Sequence, residues 1–236
     1  MERILKELAD RMAKTYADRL VSVILYGSAA VGDHHGRFSD INVFCVLKQL
    51  TPREIGESEP VFRWWREKGN PAPLLMSADE VQRSTDCFPI EFHDMQARRR
   101  VLAGADVVAG LVIDDRFYRA QVEHELRAKL LRLRQKAGAL LSDSGLLLRL
   151  MTDSLSTFCV LFRHALVLAG ADAVYEKRRI VDAVAVRFGV GPAPFHALLD
   201  VREQKVKPRD ADPRQLFGQY LKEIQVVVAA VDRLEK

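Results

Sequence analysis

Apolar residues near the amino terminus recur at helical spacing. Ile4, Leu5, Leu8, Met12 and Tyr16 fall on one face of a helix over residues 2–19. A short, partly β-branched apolar run, Val21 to Tyr26, follows and stops at Gly27, which reads as a buried strand. Ile41 to Leu47 is a second strand, entered through Asp40. Pro52 suits the first turn of a helix running to about Lys68, and Gly69-Asn70-Pro71 ends it. Leu74 to Met76 fits a short strand, and Ser77 with Glu80 has the spacing of a capping box that opens a short helix. Phe88 to Met95 reads as a third clear strand.

The pattern changes after Gly104. Tyr118, Val122, Leu126, Leu130 and Leu133 repeat at helical spacing, and further helices fit about 146–169, 175–188, 192–201 and 213–234. Gly170, the stretch Gly189 to Pro194, and Lys207-Pro208 punctuate them. Strands and helices mix in the first half and helices alone fill the second. The expectation is an α+β chain: a small mixed β-sheet domain backed by helices over 1–112, then an all-α helical bundle over 113–236.

Composition narrows the class. The chain has 236 residues, 48% hydrophobic and 29% charged, ordinary values for a protein with a packed core. The net charge of +4 suits a polyphosphate or plain solubility equally and leaves nucleic acid open as a partner. Cys45, Cys87 and Cys159 are widely spaced and odd in number, which argues for reduced thiols rather than a disulfide framework or zinc site. The sequence starts without an apolar signal region and holds no run of about 18 apolar residues. The expectation is therefore a cytoplasmic protein without a membrane span.

The informative stretch is Gly27-Ser28, eleven residues, then Asp40-Ile41-Asn42-Val43. A glycine and a serine directly after a buried strand put backbone N–H groups and a hydroxyl at a turn. A helix starting there would add its dipole, and the combination suits a phosphate. Along the next strand, residues two apart share a face, so Asp40 and Asn42 project together while Ile41 and Val43 face the core.

Ile24-Leu25-Tyr26-Gly27-Ser28 with Phe38-Ser39-Asp40-Ile41-Asn42-Val43-Phe44 resembles the signature of polymerase β-type nucleotidyltransferases, among them the kanamycin-type and "minimal" enzymes. The resemblance covers about 25 residues. It implies a nucleoside triphosphate, with ATP the first choice, bound with Mg²⁺ and transferred as a nucleotidyl group to a hydroxyl acceptor. It also implies three carboxylates: two from the Asp-x-Asp/Glu strand and one from a later strand. Alternation selects Glu91 for the last, because Ile90 and Phe92 would share the core face and leave Glu91 with His93 on the other. Asp94 is then the weaker candidate. Such a site clamps the attacking and leaving oxygens between Mg²⁺ ions about 3.5–4 Å apart, and Mg²⁺ takes hard oxygen ligands. The expected roles are Gly27, Ser28 and Arg37 on the nucleotide, Asp40, Asn42 and Glu91 on the metal, and Asp40 and Glu91 in catalysis. The second half resembles the helical acceptor-side domain of aminoglycoside nucleotidyltransferases, which implies an acceptor received there.

The sequence departs from the family at Asn42, where an acid is expected. An amide oxygen can coordinate a metal but carries no charge and cannot act as a base. Three consequences stay open: slow turnover with one weak metal, nucleotide binding without turnover, or replacement by Asp33 or Asp94. The acceptor class and any oligomer are open as well. Several other features read first as structure: His34-His35 and Arg98-Arg99-Arg100 as solvated charge, Trp64-Trp65 as a core pair with one member packed, and His164 as a half-buried helix residue.

Overall fold

The computed structural model describes residues 1–31, 41–206 and 212–234. The chain divides into two compact units, Met1–Phe117 and Tyr118–Lys236, where the sequence reading put the division at 112/113.

The first unit is built on a four-stranded sheet of β1 (Leu20–Tyr26), β2 (Asn42–Leu47), β3 (Leu74–Ser77) and β4 (Arg99–Gly104), in the order β3-β2-β1-β4. β1 runs antiparallel to both of its neighbours, and β2 runs parallel to β3. Both faces are covered, which is why β1 and β2 read as near-continuous apolar runs rather than alternating ones. Val23, Leu25, Val43, Cys45 and Leu47 point to one face. There they meet Leu5, Leu8 and Met12 of α1 (Glu2–Tyr16) and Val61 and Trp65 of α2 (Pro52–Glu67). Ile24, Phe44 and Val46 point to the other, under Val81 of α3 (Ala78–Arg83), Phe92 and Met95 of α4 (Pro89–Ala97), and Val108 and Leu111.

The expected strand over Phe88–Met95 is α4, and the strand follows it as β4. Pro89 supplies the fixed φ of a first helical residue, and Pro89, Phe92 and Met95, three apart, lay one buried stripe on the sheet. The period-two pattern of Ile90 and Phe92 covered too few residues to compete with that stripe. β4 escaped notice because its first residues are arginines. Arg99 pairs with Asp106 and Arg100 with Glu2, so an edge strand carries charge without leaving it unpaired.

The two expected helix starts in this unit form as capping boxes. Ser77 accepts from the Glu80 N–H while Glu80 accepts from the Ser77 N–H, and Thr51 and Glu54 do the same for α2. Glu54 also ties α2 to the start of β1. Its buried carboxylate accepts from the Thr51 hydroxyl and from Arg19, and its backbone carbonyl accepts from the Tyr16 hydroxyl at 2.7 Å.

The second unit consists of α5 (Tyr118–Gly138), α6 (Ser144–Leu168), α7 (Lys177–Phe188), α8 (Ala193–Arg202) and α9 (Pro213–Asp232). α6 is central and packs against each of the other four. Its length and mean hydropathy of 1.4 would suit a membrane span, but Leu155, Phe158, Phe162 and Leu166 are buried among the surrounding helices. Phe158, Phe162, Phe195 and Tyr220 meet edge-to-face or tilted with ring centroids 5.3–6.2 Å apart. Asp143 and Asp212 cap α6 and α9 through their carboxylates, and Gly189 ends α7 in the left-handed conformation. The three cysteines are free, Cys45 and Cys159 buried and Cys87 exposed.

The Thr51 hydroxyl first, then backbone N–H groups and the Arg19 guanidinium, hold the Glu54 carboxyl down to about 2 against desolvation. A folded-state value below the unfolded one gives stability that is complete above the unfolded pKa of about 4.3 and is lost as pH falls toward about 2. Urea unfolding from pH 7 down to pH 2 is therefore expected to show Glu54→Gln less stable than the parent at pH 7, with the gap closing through that window. A gap constant with pH would show that Glu54 acts without its charge.

Candidate functional site

The ends of three strands lie side by side in this sheet. Tyr26, the last residue of β1, is the register partner of Asn42 on β2 and of Arg99 on β4. The chain must leave the sheet at once, and Gly27 does so with φ +78°, a region that costs a residue with a Cβ about 1–2 kcal/mol. Its N–H donates to the Arg98 carbonyl at 2.9 Å and its carbonyl accepts from the Ala30 N–H at 3.2 Å. The Gly27 N–H is thus engaged in the sheet ladder. Gly27 acts through its shape. The donors at the turn come from Ser28, which opens a 3₁₀ turn over Ser28–Val31 whose first N–H groups have no carbonyl behind them in the turn. Ala29 is buried and anchors that turn to the core.

Asn42 sits against this turn. A Cβ placed on Gly27 would lie 3.6 Å from Asn42 Nδ2. Strand alternation puts Asn42 on the face of Phe44 and Val46, the face that α4 covers. Glu91 therefore reaches the same side of the sheet as Asn42, from a helix rather than a strand. The change of element alters its company. On a helix, residues three apart share a face and residues two apart do not. Glu91 is joined by Asp94, while His93 turns away and its Nε2 pairs with Asp115 at 2.7 Å.

The two acids declare their place through Tyr26. Burial, then the charges of Glu91 and Asp94, push its phenol up to about 12, so the hydroxyl keeps its proton. Tyr26 was not singled out from the sequence. Its signal was a tyrosine closing an apolar strand directly before the glycine, where an aliphatic residue would have served packing alone. Glu91 itself is exposed in the first turn of α4, where the helix dipole favours a carboxylate.

Asp40 and Arg37 lie outside the described residues, as do Asp33, His34 and His35. Among the described residues no three His, Cys, Asp or Glu side chains gather closely enough to hold a metal. The donors present on this face, the Asn42 amide oxygen and the carboxylates of Glu91 and Asp94, are the hard oxygens that Mg²⁺ accepts. Of the other candidates, Trp65 is fully buried and donates to the Pro71 carbonyl at 2.8 Å, while Trp64 lies under the Arg11 guanidinium at 4.3 Å. His164 is buried rather than half-buried, with Nδ1 2.6 Å from the Tyr118 hydroxyl.

The chain is similar in structure to the spectinomycin adenyltransferase AAD(9) from Enterococcus faecialis, solved with ATP and spectinomycin. The TM-score is 0.59 at 11% identity, over 93% of this chain and 98% of that one. At that identity the likeness shows a shared fold, an α+β unit followed by a helical one. No family model matches the chain, and no curated protein matches it in sequence.

Two glycines with positive φ separate backbone strain from crowding. At Gly27 an added Cβ meets only an ordinary contact, so Gly27→Ala is expected to cost the backbone term alone, about 1–2 kcal/mol. At Gly104, φ +77°, the Cβ would fall 2.1 Å from the Val21 carbonyl oxygen, a backbone atom that cannot yield without moving β1. Gly104→Ala is expected to be clearly the more damaging in urea unfolding. Equal losses would mean that the β1–β4 approach is looser than described.

Proposed function

We propose that the chain is a nucleotidyltransferase that moves a nucleoside monophosphate from a nucleoside triphosphate, ATP first, to a hydroxyl acceptor. One observation carries the reading. The Gly27-Ser28 turn stands against Asn42, on the face of β2 that α4 with Glu91 covers, within a fold shared with an adenyltransferase solved with ATP and spectinomycin.

In this reading Ser28 and the opening N–H groups of its turn hold the phosphates, with Arg37 on the triphosphate. Asp40, Asn42 and Glu91 would hold Mg²⁺, which when bound neutralises phosphate charge and polarises the transferred group. The acceptor oxygen forms a bond to the α-phosphorus as the bond to pyrophosphate breaks, and the acceptor's proton passes to a carboxylate, Glu91 or Asp40. The protonated Tyr26 hydroxyl is a donor beside that acid. The acceptor is a hydroxyl-bearing molecule, and spectinomycin, held by the structural neighbour, is the first to try.

Asn42 favours a second reading: nucleotide bound and not turned over. The amide adds an oxygen without a charge, so the ion that depends on this position is held more weakly than a carboxylate would hold it.

Incubation with α-labelled ATP, Mg²⁺ and a panel of hydroxyl acceptors tests both. Slow transfer is expected, reduced by about 10²-fold or more in Asp40→Ala, the scale seen when one charge-stabilising group is removed from such a site. Asn42→Asp is expected to tighten Mg²⁺ binding by about tenfold, the ratio that about 1.4 kcal/mol of added attraction gives. Tight nucleotide binding with no transfer in either protein selects the second reading. No binding of any nucleoside triphosphate, with or without Mg²⁺, overturns both.

A further inference from the structure

Several basic residues on the exposed helices pair with an acid of the same helix. Lys6 pairs with Asp10, Arg11 with Glu7, Arg53 with Glu57, Arg63 with Glu59, Arg83 with Asp79 and Arg119 with Glu123, each one helical turn apart. The second half of α5 breaks that habit. From Arg127 to Lys136 it carries Arg127, Lys129, Arg132, Arg134 and Lys136 with no acidic residue between them, and all five are exposed. Arg127 is met by Glu123 and Asp232, and Lys129 by Glu125. Arg132, Arg134 and Lys136 have no carboxylate partner among the described residues. Arg132 and Lys136 stand one turn apart, where like charges weaken a helix. The helix dipole accounts for Lys136 in the last turn, but its effect does not reach back to Arg132.

Geometry gives these charges a common outlet. Lys129, Arg132 and Lys136 line one edge of a groove of about 250 Å³, whose far wall on α6 presents the Ser154 and Thr157 hydroxyls. Asp153, on that wall, faces Arg149 at 3.7 Å. The three cations span about 10 Å of helix, roughly the rise of three nucleotides at 3.4 Å each. Arg134 lines a second groove on the opposite flank of α5, against α9, with the exposed Leu131 beside it.

We infer that the second half of α5 is a binding surface for the phosphodiester backbone of a single nucleic-acid strand, tracked along Lys129, Arg132 and Lys136. A row of cations without internal anions recognises a repeating anion better than a compact one, and the Thr157 hydroxyl on the facing wall adds a neutral donor to phosphate oxygens, while that of Ser154 donates to the Met151 carbonyl. Nothing in this surface reads base identity, so the binding is independent of sequence and falls with salt. It does not rest on the chemistry proposed for the first unit.

The test is fluorescence anisotropy of a labelled single-stranded RNA across roughly 50–200 mM salt. The triple variant Lys129→Gln, Arg132→Gln, Lys136→Gln keeps good helix formers at exposed positions and is checked for unchanged helicity. It is expected to bind about tenfold or more weakly. Its plot of log K against log salt should be shallower by about 2, from three contacts at about 0.7 each. A control removing the same charge from α1, Arg3→Gln, Lys6→Gln, Lys14→Gln, is expected to bind as the parent does, and so is Asp40→Ala. Equal weakening in the α1 control would assign the binding to net charge and overturn the proposal. So would undiminished binding by the triple variant, or inorganic tripolyphosphate displacing the labelled RNA as effectively as unlabelled RNA does.

Discussion

The pairing of β1 with both of its neighbours is the constraint from which the first unit follows. β1 is antiparallel to β2 on one side and β4 on the other, and its residues are buried on both faces. A slip of one residue would exchange the side chains packed under α1 and α2 with those packed under α4, so the register is fixed by every buried contact at once. That register sets Tyr26 beside Asn42 and Arg99. The turn at Gly27 follows as a necessity: the chain leaves the sheet where its N–H still completes the ladder to Arg98, and the φ of +78° is how it does so.

Much of this was legible in the sequence because the signals were local. The strands around Gly27 and Asn42 stood out as apolar runs bounded by turn residues, and the Ser77–Glu80 capping box was written in side chains three apart. α4 and β4 were not legible, for a common reason. Pro89 to Met95 contains both a period-two and a period-three pattern, and only the sheet beneath decides which face is buried. Arg99 and Arg100 disguise a strand because their partners, Asp106 and Glu2, are remote from the strand pattern itself, Glu2 by most of the unit. Asn42 and Glu91 were expected on one side of the sheet, and the described residues put them there through a helix. Asp40, the residue on which the motif was first seen, lies outside the described residues.

The second unit shows the reverse balance. Its helices were legible from spacing, but its buried polar residues were not. Arg163 is 7% exposed and His164 2%, in a helix otherwise read as apolar. Arginine can only donate, so the approach of Arg163 Nη2 to His164 Nε2 at 3.3 Å makes that nitrogen the acceptor and places the ring proton on Nδ1. Nδ1 then donates to the Tyr118 oxygen, and the Arg163 guanidinium lies over the Tyr175 ring at 4.7 Å. Arg202 is likewise drawn inward, donating to the Thr152 carbonyl and the Ser156 hydroxyl of α6, and burial lowers its pKa. Periodicity reports which face of a helix is covered. It is silent on a polar side chain that reaches the covered face with its hydrogen bonds satisfied there.

The substitution at Asn42 has a physical counterpart on the other side of the same face. In a strand-borne pair of acids, the negative charge would sit on β2, two residues apart. Here the charges that act on the end of β1 come from Glu91 and Asp94 of α4, which add to burial in raising the Tyr26 phenol to about 12. Glu91, in the first turn of α4, is favoured by the helix dipole, which a strand cannot supply. An uncharged Asn42 then removes a like charge from beside them. The face keeps its oxygen donors while its anions are gathered on one element, so the geometry around the Gly27 turn depends on how firmly α4 is seated. Phe92 and Met95, buried against Ile24 and Phe44, do that seating, which ties the electrostatics of the site to the packing of the sheet.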